Sequence, residues 1–176
     1  MALVLSAILK ANSEAGIAIF LSIRNARAQR DALNAAAVAV LKDDLLETFS
    51  ALSNVYKSLE GQRNDLAHGV FLISDDILDA ILWMDAKEHT SFFAQWLTKL
   101  ETDINASIDG IKDGLFTYRE KDVARLRDDI TELWQATMFF WQHLRMPGSP
   151  LSASSYQRLR ELPQMAREIA LLKTTA

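Results

Sequence analysis

Hydrophobic residues recur every three or four positions along most of the chain, which is the spacing of amphipathic helices. Prolines occur only at positions 147, 150 and 163, so none interrupts a helix in residues 1–146. Alternating patterns and glycine-rich hairpin sequences are rare. The pattern predicts an all-α protein, an up-and-down bundle of four to five main helices.

Three helices are predicted in the first part of the chain. The first covers about residues 2–24, and its stretch AGIAIFLSI is apolar on all sides, so we expect it to be buried or in an interface. An alanine-rich helix follows over about 26–41. The third begins with Asp43 or Asp44 as its N-cap. Its apolar stripe is marked by leucines spaced by seven, at Leu45, Leu52, Leu59 and Leu66.

The segment 70–89 breaks the helical spacing. We expect a less regular excursion there, with short helical or strand pieces that carry Trp83 against the bundle. Gly69, just before it, is typical of a helix C-cap. Helical spacing returns at about Thr90, on a face that holds Phe93, Leu97, Leu100, Ile104, Ile108, Ile111 and Leu115.

The second half of the chain predicts a turn in GLFTYREKD and then a long helix from about Val123 to Arg145. The sequence MPGSP ends that helix. A short appended helix within 147–176, at about 152–173, should be kinked or split at Pro163. Because there is no internal repeat or linker, residues 1–176 are predicted to form a single domain.

Composition and charge narrow the function. Hydrophobic residues make up 49% of the chain, enough for a packed core. The net charge is −4, and residues 69–131 hold seven basic and thirteen acidic side chains. Proteins that coat nucleic acid without specificity are usually basic, so RNA would need a local patch. Arg24, Arg27 and Arg30 recur every three residues and form a short basic ridge. The ridge is interpreted as a solvated face or, alternatively, as a set of candidate phosphate contacts.

The chain contains no cysteine, which excludes disulfides, thiol catalysis and cysteine-ligated zinc. The apolar N-terminus MALVLSAILK is interrupted at Lys10, well short of the roughly 20 apolar residues that span a bilayer. We therefore expect no signal peptide, no membrane partner and a cytoplasmic location.

Metal and nucleotide motifs are missing from the sequence. His68, His89 and His143 are not spaced as metal ligands are, and no HExxH, GxGxxG, P-loop or GxSxG motif occurs. We expect no metal and no cofactor, with His143 at the core edge and His89 near a helix N-terminus. The remaining candidates are interpreted as structural: solvated pairs at Asp75–Asp76 and Asp128–Asp129, and core or interface tryptophans on helical periods at 83, 96, 134 and 141.

The stretch QRNDLAHGV, residues 62–70, holds a different kind of pattern. Asn64 and His68 are one helical turn apart and share a face. If the third helix continues through Gly61, Arg63 lies five full turns after Leu45, in the middle of the apolar stripe. A guanidinium there costs free energy unless it is paired or faces an interface.

Arg63, Asn64 and His68 supply a permanent cation, an amide and an imidazole, which suit cleavage of RNA without a metal. The histidine can accept or donate a proton, and the arginine can hold the phosphate and offset its developing charge. One motif supplies one imidazole, so separate acid and base roles require a second copy. A two-fold dimer would bring two His68 side chains together.

The sequence RNDLAH resembles the motif of the HEPN superfamily, in which an arginine and a polar residue precede a histidine. The resemblance implies a helical-bundle homodimer with a composite, metal-independent endoribonuclease site made of Arg63, Asn64 and His68. It also implies a toxin or defence role, with RNA as substrate and an antitoxin or other partner protein. Because many HEPN proteins do not cleave, a non-catalytic binding or dimerisation module is the alternative. A third interpretation is structural: Arg63 pairs with an acidic neighbour and His68 caps the helix.

Overall fold

The computed structural model describes residues 1–74, 77–103 and 114–175. Helices dominate these residues, which confirms the all-α class, and a small three-stranded sheet accompanies them. The chain divides into two compact units. The first comprises Met1–Ser58 and Asp129–Ala176, and the second comprises Leu59–Asp128.

Helices are the secondary structure of the described residues of the first unit. They are α1 (Ala2–Ile8), α2 (Ser13–Ser22), α3 (Ala26–Val40), most of α4 (Asp43–His68), most of α6 (Glu120–Arg145), α7 (Pro150–Glu161) and α8 (Pro163–Thr175). The largest fully buried side chains of this unit include Val4, Leu33, Leu52, Phe140, Leu159 and Met165. Helices α4 and α6 both continue past the boundary into the second unit.

The prediction of one N-terminal helix over 2–24 is wrong, because the chain turns between α1 and α2. Lys10 takes a left-handed backbone conformation with φ 52°. The Asn12 side chain then accepts a hydrogen bond of 2.7 Å from the Glu14 backbone N–H, which caps a new helix. Helical spacing alone does not reveal such a break, since the apolar period resumes on the far side.

The apolar stretch of α2 is only partly covered. Phe20 is buried, whereas Ile19 is 52% exposed and Leu21 is 66% exposed. Burial within the chain therefore accounts for one side of this helix, and the other side is open.

Helix α4 runs unbroken through Gly61 to His68, as the leucine spacing predicted. Asp43 and Asp44 both lie in its first turn. Its stripe is most deeply buried at Leu52 and Leu59. Near the other end of the chain, α6 ends at Arg145 and Ser149 caps α7, accepting a 3.0 Å hydrogen bond from Ser152 N–H. Pro163 starts α8, so the predicted split of the last helix is confirmed.

The second unit contains the sheet, whose strands are β1 (Gly69–Ser74), β2 (Ile77–Asp85) and β3 (Phe116–Arg119). The strands are antiparallel in the order β1-β2-β3. Helix α5 (Ala86–Thr102) follows β2 directly. The predicted excursion is confirmed over the described residues of β1 and β2, but α5 begins at Ala86, earlier than the predicted Thr90. The prediction of a turn in GLFTYREKD is wrong, because residues 116–119 of this sequence form β3 and pair with β2.

Trp83 forms the centre of one sheet face. Its cross-strand partners are Phe71 and Phe116, and it is only 6% exposed. Gly69 begins β1 and passes so close to the indole that a Cβ there would overlap it. Gly69 does take the predicted C-cap position, directly after His68 at the end of α4, but not the left-handed conformation common there: among the described glycines, only Gly148 has a positive φ. The expectation that Trp83 falls on a helical period is wrong as well, because Trp83 lies in strand β2.

Several predicted features lie outside the described residues, namely Ile104, Ile108, Ile111 and the pair Asp75–Asp76. Within the described ranges, no helix has both the length and the apolar character that crossing a bilayer requires.

Candidate functional site

The last two turns of α4 carry the candidate motif, within the second unit. Asn64 and His68 are one turn apart on this continuous helix, so they share a face as the spacing predicted. His68 is the last residue of the helix, and the chain continues directly into β1 at Gly69. The motif is thus positioned by regular helix on one side and by a sheet strand on the other.

Arg63 folds back toward Asn64. Its Nη1 donates a hydrogen bond to the Asn64 Oδ1 over 3.2 Å. The guanidinium therefore lies at the edge that Asn64 and His68 share, although its Cα is displaced around the helix. In this position the amide limits the freedom of a long side chain and leaves most of the guanidinium N–H groups for another ligand.

Arg63 and His68 are exposed, and Asn64 is half-buried. The helical angle of Arg63 coincides with the apolar stripe, but the deeply buried part of that stripe ends at Leu59. The expected cost of a buried guanidinium is therefore absent. The structural interpretation required an ion pair between Arg63 and an acidic side chain. Among the described residues, Arg63 makes no such ion pair.

The electrostatic setting of the motif is acidic. The unit that contains it holds eight basic and fourteen acidic residues in its sequence, for a net charge of −6. Asp65, inside the motif, is exposed. A polyanionic ligand would be repelled by this unit at long range, so its affinity would depend on contacts at short range.

The basic ridge is not part of the same unit. Arg24 lies between α2 and α3, and Arg27 and Arg30 lie in α3. Arg27 Nε is 3.9 Å from Asp31 Oδ2, a highly exposed pair of little energetic weight. Arg30 is also engaged in an interaction. The structure therefore does not join these arginines into one helical ridge.

A second feature lies where α5 begins. Gly69 pairs with Asp85 at the end of the β1–β2 ladder, and the Asp85 side chain caps α5 by accepting from Lys87 N–H at 2.8 Å. His89 lies in the first turn of α5, near the N-terminus of a helix as predicted. Its ring stacks on Phe93 with centroids 5.5 Å apart. The one-turn spacing of His89 and Phe93 is visible in the sequence. The nearness of this pair to the Arg63–His68 motif is not, because it depends on how β1 and β2 pair.

The third histidine has a structural role in the first unit. The Nδ1 atom of His143 is 2.9 Å from the Ser152 hydroxyl, and its ring stacks on Tyr156 at 4.5 Å. Arg160 donates to the Tyr156 hydroxyl, and this bond raises the pKa of the guanidinium. The core-edge interpretation of His143 is confirmed, and the contacts tie the end of α6 to α7.

Two open clefts lie in the second unit. One, of about 570 Å³, is formed by β2, β3 and the start of α6, and its charged lining includes Asp79, Arg119 and Arg127. The other, of about 560 Å³, follows α5. Neither of these two clefts is lined by Arg63, Asn64 or His68. Within the part of the chain that the structure describes, no three His, Asp or Glu side chains converge as metal ligands would.

Comparison with protein-family models, curated proteins and solved structures returned no significant match for this chain.

Proposed function

We propose that this chain is a HEPN-like, metal-independent endoribonuclease that works as a two-fold dimer, with Arg63, Asn64 and His68 in the site. The observation that supports the proposal most directly is the 3.2 Å hydrogen bond from Arg63 to Asn64, with exposed His68 one turn later on the same face. A cation and an imidazole at one accessible edge are the groups that metal-free phosphodiester cleavage uses.

The proposed reaction is an intramolecular transesterification. One imidazole accepts the proton of the ribose 2′-hydroxyl, and the 2′-oxygen attacks phosphorus. The bond from phosphorus to the 5′-oxygen breaks, and a protonated second imidazole donates a proton to that oxygen. Arg63 binds the phosphate oxygens and stabilises the added negative charge. Asn64 orients the guanidinium. No redox partner or metal enters this balance.

The second imidazole would be His68 of another copy. A two-fold axis close to the C-terminal end of α4 forms one composite active site with two histidines and two arginines, one of each from either copy. The exposure of Arg63 and His68 in a single chain leaves both side chains free for such an arrangement.

Substitution of the motif tests this function. Arg63→Ala and His68→Ala should each lower the cleavage of a mixed RNA pool by at least about a hundredfold in EDTA, while sedimentation still shows a dimer. Arg158→Ala is the matched control, since it removes an exposed arginine of α7 in the other unit. An RNA pool left intact by the wild-type protein, with and without divalent metal, would refute the proposal.

The second candidate function is a HEPN-like module that dimerises or binds a protein partner, such as an antitoxin, without cleaving RNA. The net charge of −6 on the unit that carries the motif favours this alternative, because it opposes RNA binding. The same assay separates the two functions. A stable dimer that neither binds nor cleaves RNA is the result expected of the non-catalytic module.

A further inference from the structure

We propose that His89 and Phe93 of α5 form a stacking subsite for one unpaired RNA base beside the Arg63–His68 motif. The inference rests on the proposed function, which supplies RNA as the ligand. It adds that the bound RNA is single-stranded, and it assigns recognition to a helix that the motif itself does not include.

The strand register places the two features together. Gly69 and Asp85 are partners in an antiparallel ladder, where paired Cα atoms are about 5 Å apart. His68 directly precedes Gly69, and His89 lies one helical turn after Asp85. Chain geometry therefore keeps the Cα atoms of His68 and His89 within about 16 Å. One short RNA segment can contact both.

The rings have the geometry of a stacking surface. The planes of His89 and Phe93 are inclined by only 24°, with centroids 5.5 Å apart. Trp96 meets Phe93 at 5.3 Å and 66°, edge to face, so it supports the phenylalanine without extending the stack. Phe93 remains 44% exposed. A base laid on this pair would continue an existing stack, which is how single-stranded RNA is commonly bound.

The charge of the unit favours a base over a duplex. A duplex presents mainly phosphates, and a unit with a net charge of −6 repels them. An unpaired base offers an uncharged face, and stacking does not require basic side chains. On α5 itself the charges cancel, since Lys87 and Lys99 are matched by Glu88 and Glu101. Stacking of a base on the aromatic rings is therefore the favourable interaction that the surface of α5 offers to RNA.

The test measures the affinity for RNA in a His68→Ala background, so that no RNA is cut. The probe is a short fluorescent oligoadenylate, single-stranded or annealed to its complement. Phe93→Leu keeps an apolar side chain but removes the ring, so it should weaken single-strand binding by between about five- and 150-fold. Phe93→Trp keeps a ring and should retain the affinity. Duplex should bind weakly to every variant.

Trp134→Leu is the matched control, because it removes an aromatic ring that is 64% exposed from the part of α6 that lies in the other unit. Its loss should leave RNA affinity unchanged. If Phe93→Leu binds as tightly as its parent while the wild-type protein cleaves RNA, the subsite is refuted and the ribonuclease stands. If Phe93→Leu converts a dimer into monomers, α5 is a contact between copies and the subsite is again refuted. Ring-dependent binding by a protein that does not cleave supports the subsite and removes the ribonuclease function.

Discussion

Gly69 shows how one residue connects the candidate site to the core. It lies between His68 and the rest of β1, and its backbone packs directly on the Trp83 indole. That indole cannot move away easily, because it is buried and contacts Phe116 at 5.5 Å and Tyr118 at 6.5 Å. The absence of a side chain at Gly69 therefore sets how closely the end of α4 approaches the sheet.

Gly69→Ala should lower the free energy of unfolding by about 1–3 kcal/mol, because the added methyl overpacks a rigid contact. Urea unfolding measures the change. The matched control is Gly61→Ala, since a Cβ at Gly61 meets nothing within 4 Å. In the interior of α4 this substitution should stabilise by about 0.5–1 kcal/mol. Equal effects of the two substitutions would contradict the packing role assigned to Gly69.

At the scale of elements, the spacing of residues along the chain predicted the features that depend on interactions between near neighbours in the sequence. The stripe of α4 and its extent through Gly61 follow from periodic leucines, and so does the common face of Asn64 and His68. β3 was missed because four residues, FTYR, become a strand only by pairing with distant β2. The nearness of His89 to the motif was missed for the same reason, since it follows from the pairing of Gly69 with Asp85.

The break between α1 and α2 makes a second testable case at this scale. Asn12→Ala removes the acceptor for the Glu14 N–H and should cost about 1 kcal/mol of unfolding free energy. Asn54→Ala is the control, because Asn54 is an exposed position inside α4, where alanine favours the helix. Urea denaturation of both variants gives the comparison. A stable Asn12→Ala protein would show that the cap does not maintain the break.

For the whole molecule, the question is whether the two compact units behave as the single domain that the sequence predicts. That remains a prediction, and the continuity of two helices bears on it. Helices α4 and α6 have 26 residues each, and both cross the boundary between the units. The portions that extend into the second unit, Leu59–His68 and Glu120–Asp128, are shorter than the roughly 12–15 residues that an isolated helix needs. Unfolding of the first unit should therefore remove their support.

We accordingly expect one cooperative unfolding transition, which the four tryptophans can report. Trp83 and Trp96 lie in the second unit, and Trp134 and Trp141 lie in the first. Two double variants, each with one pair replaced by phenylalanine, leave fluorescence from a single unit. In each variant the fluorescence midpoint in urea should coincide with the midpoint from far-ultraviolet circular dichroism. The contrary result is a fluorescence transition of Trp83 and Trp96 at lower urea than the loss of helix, because the second unit would then unfold alone.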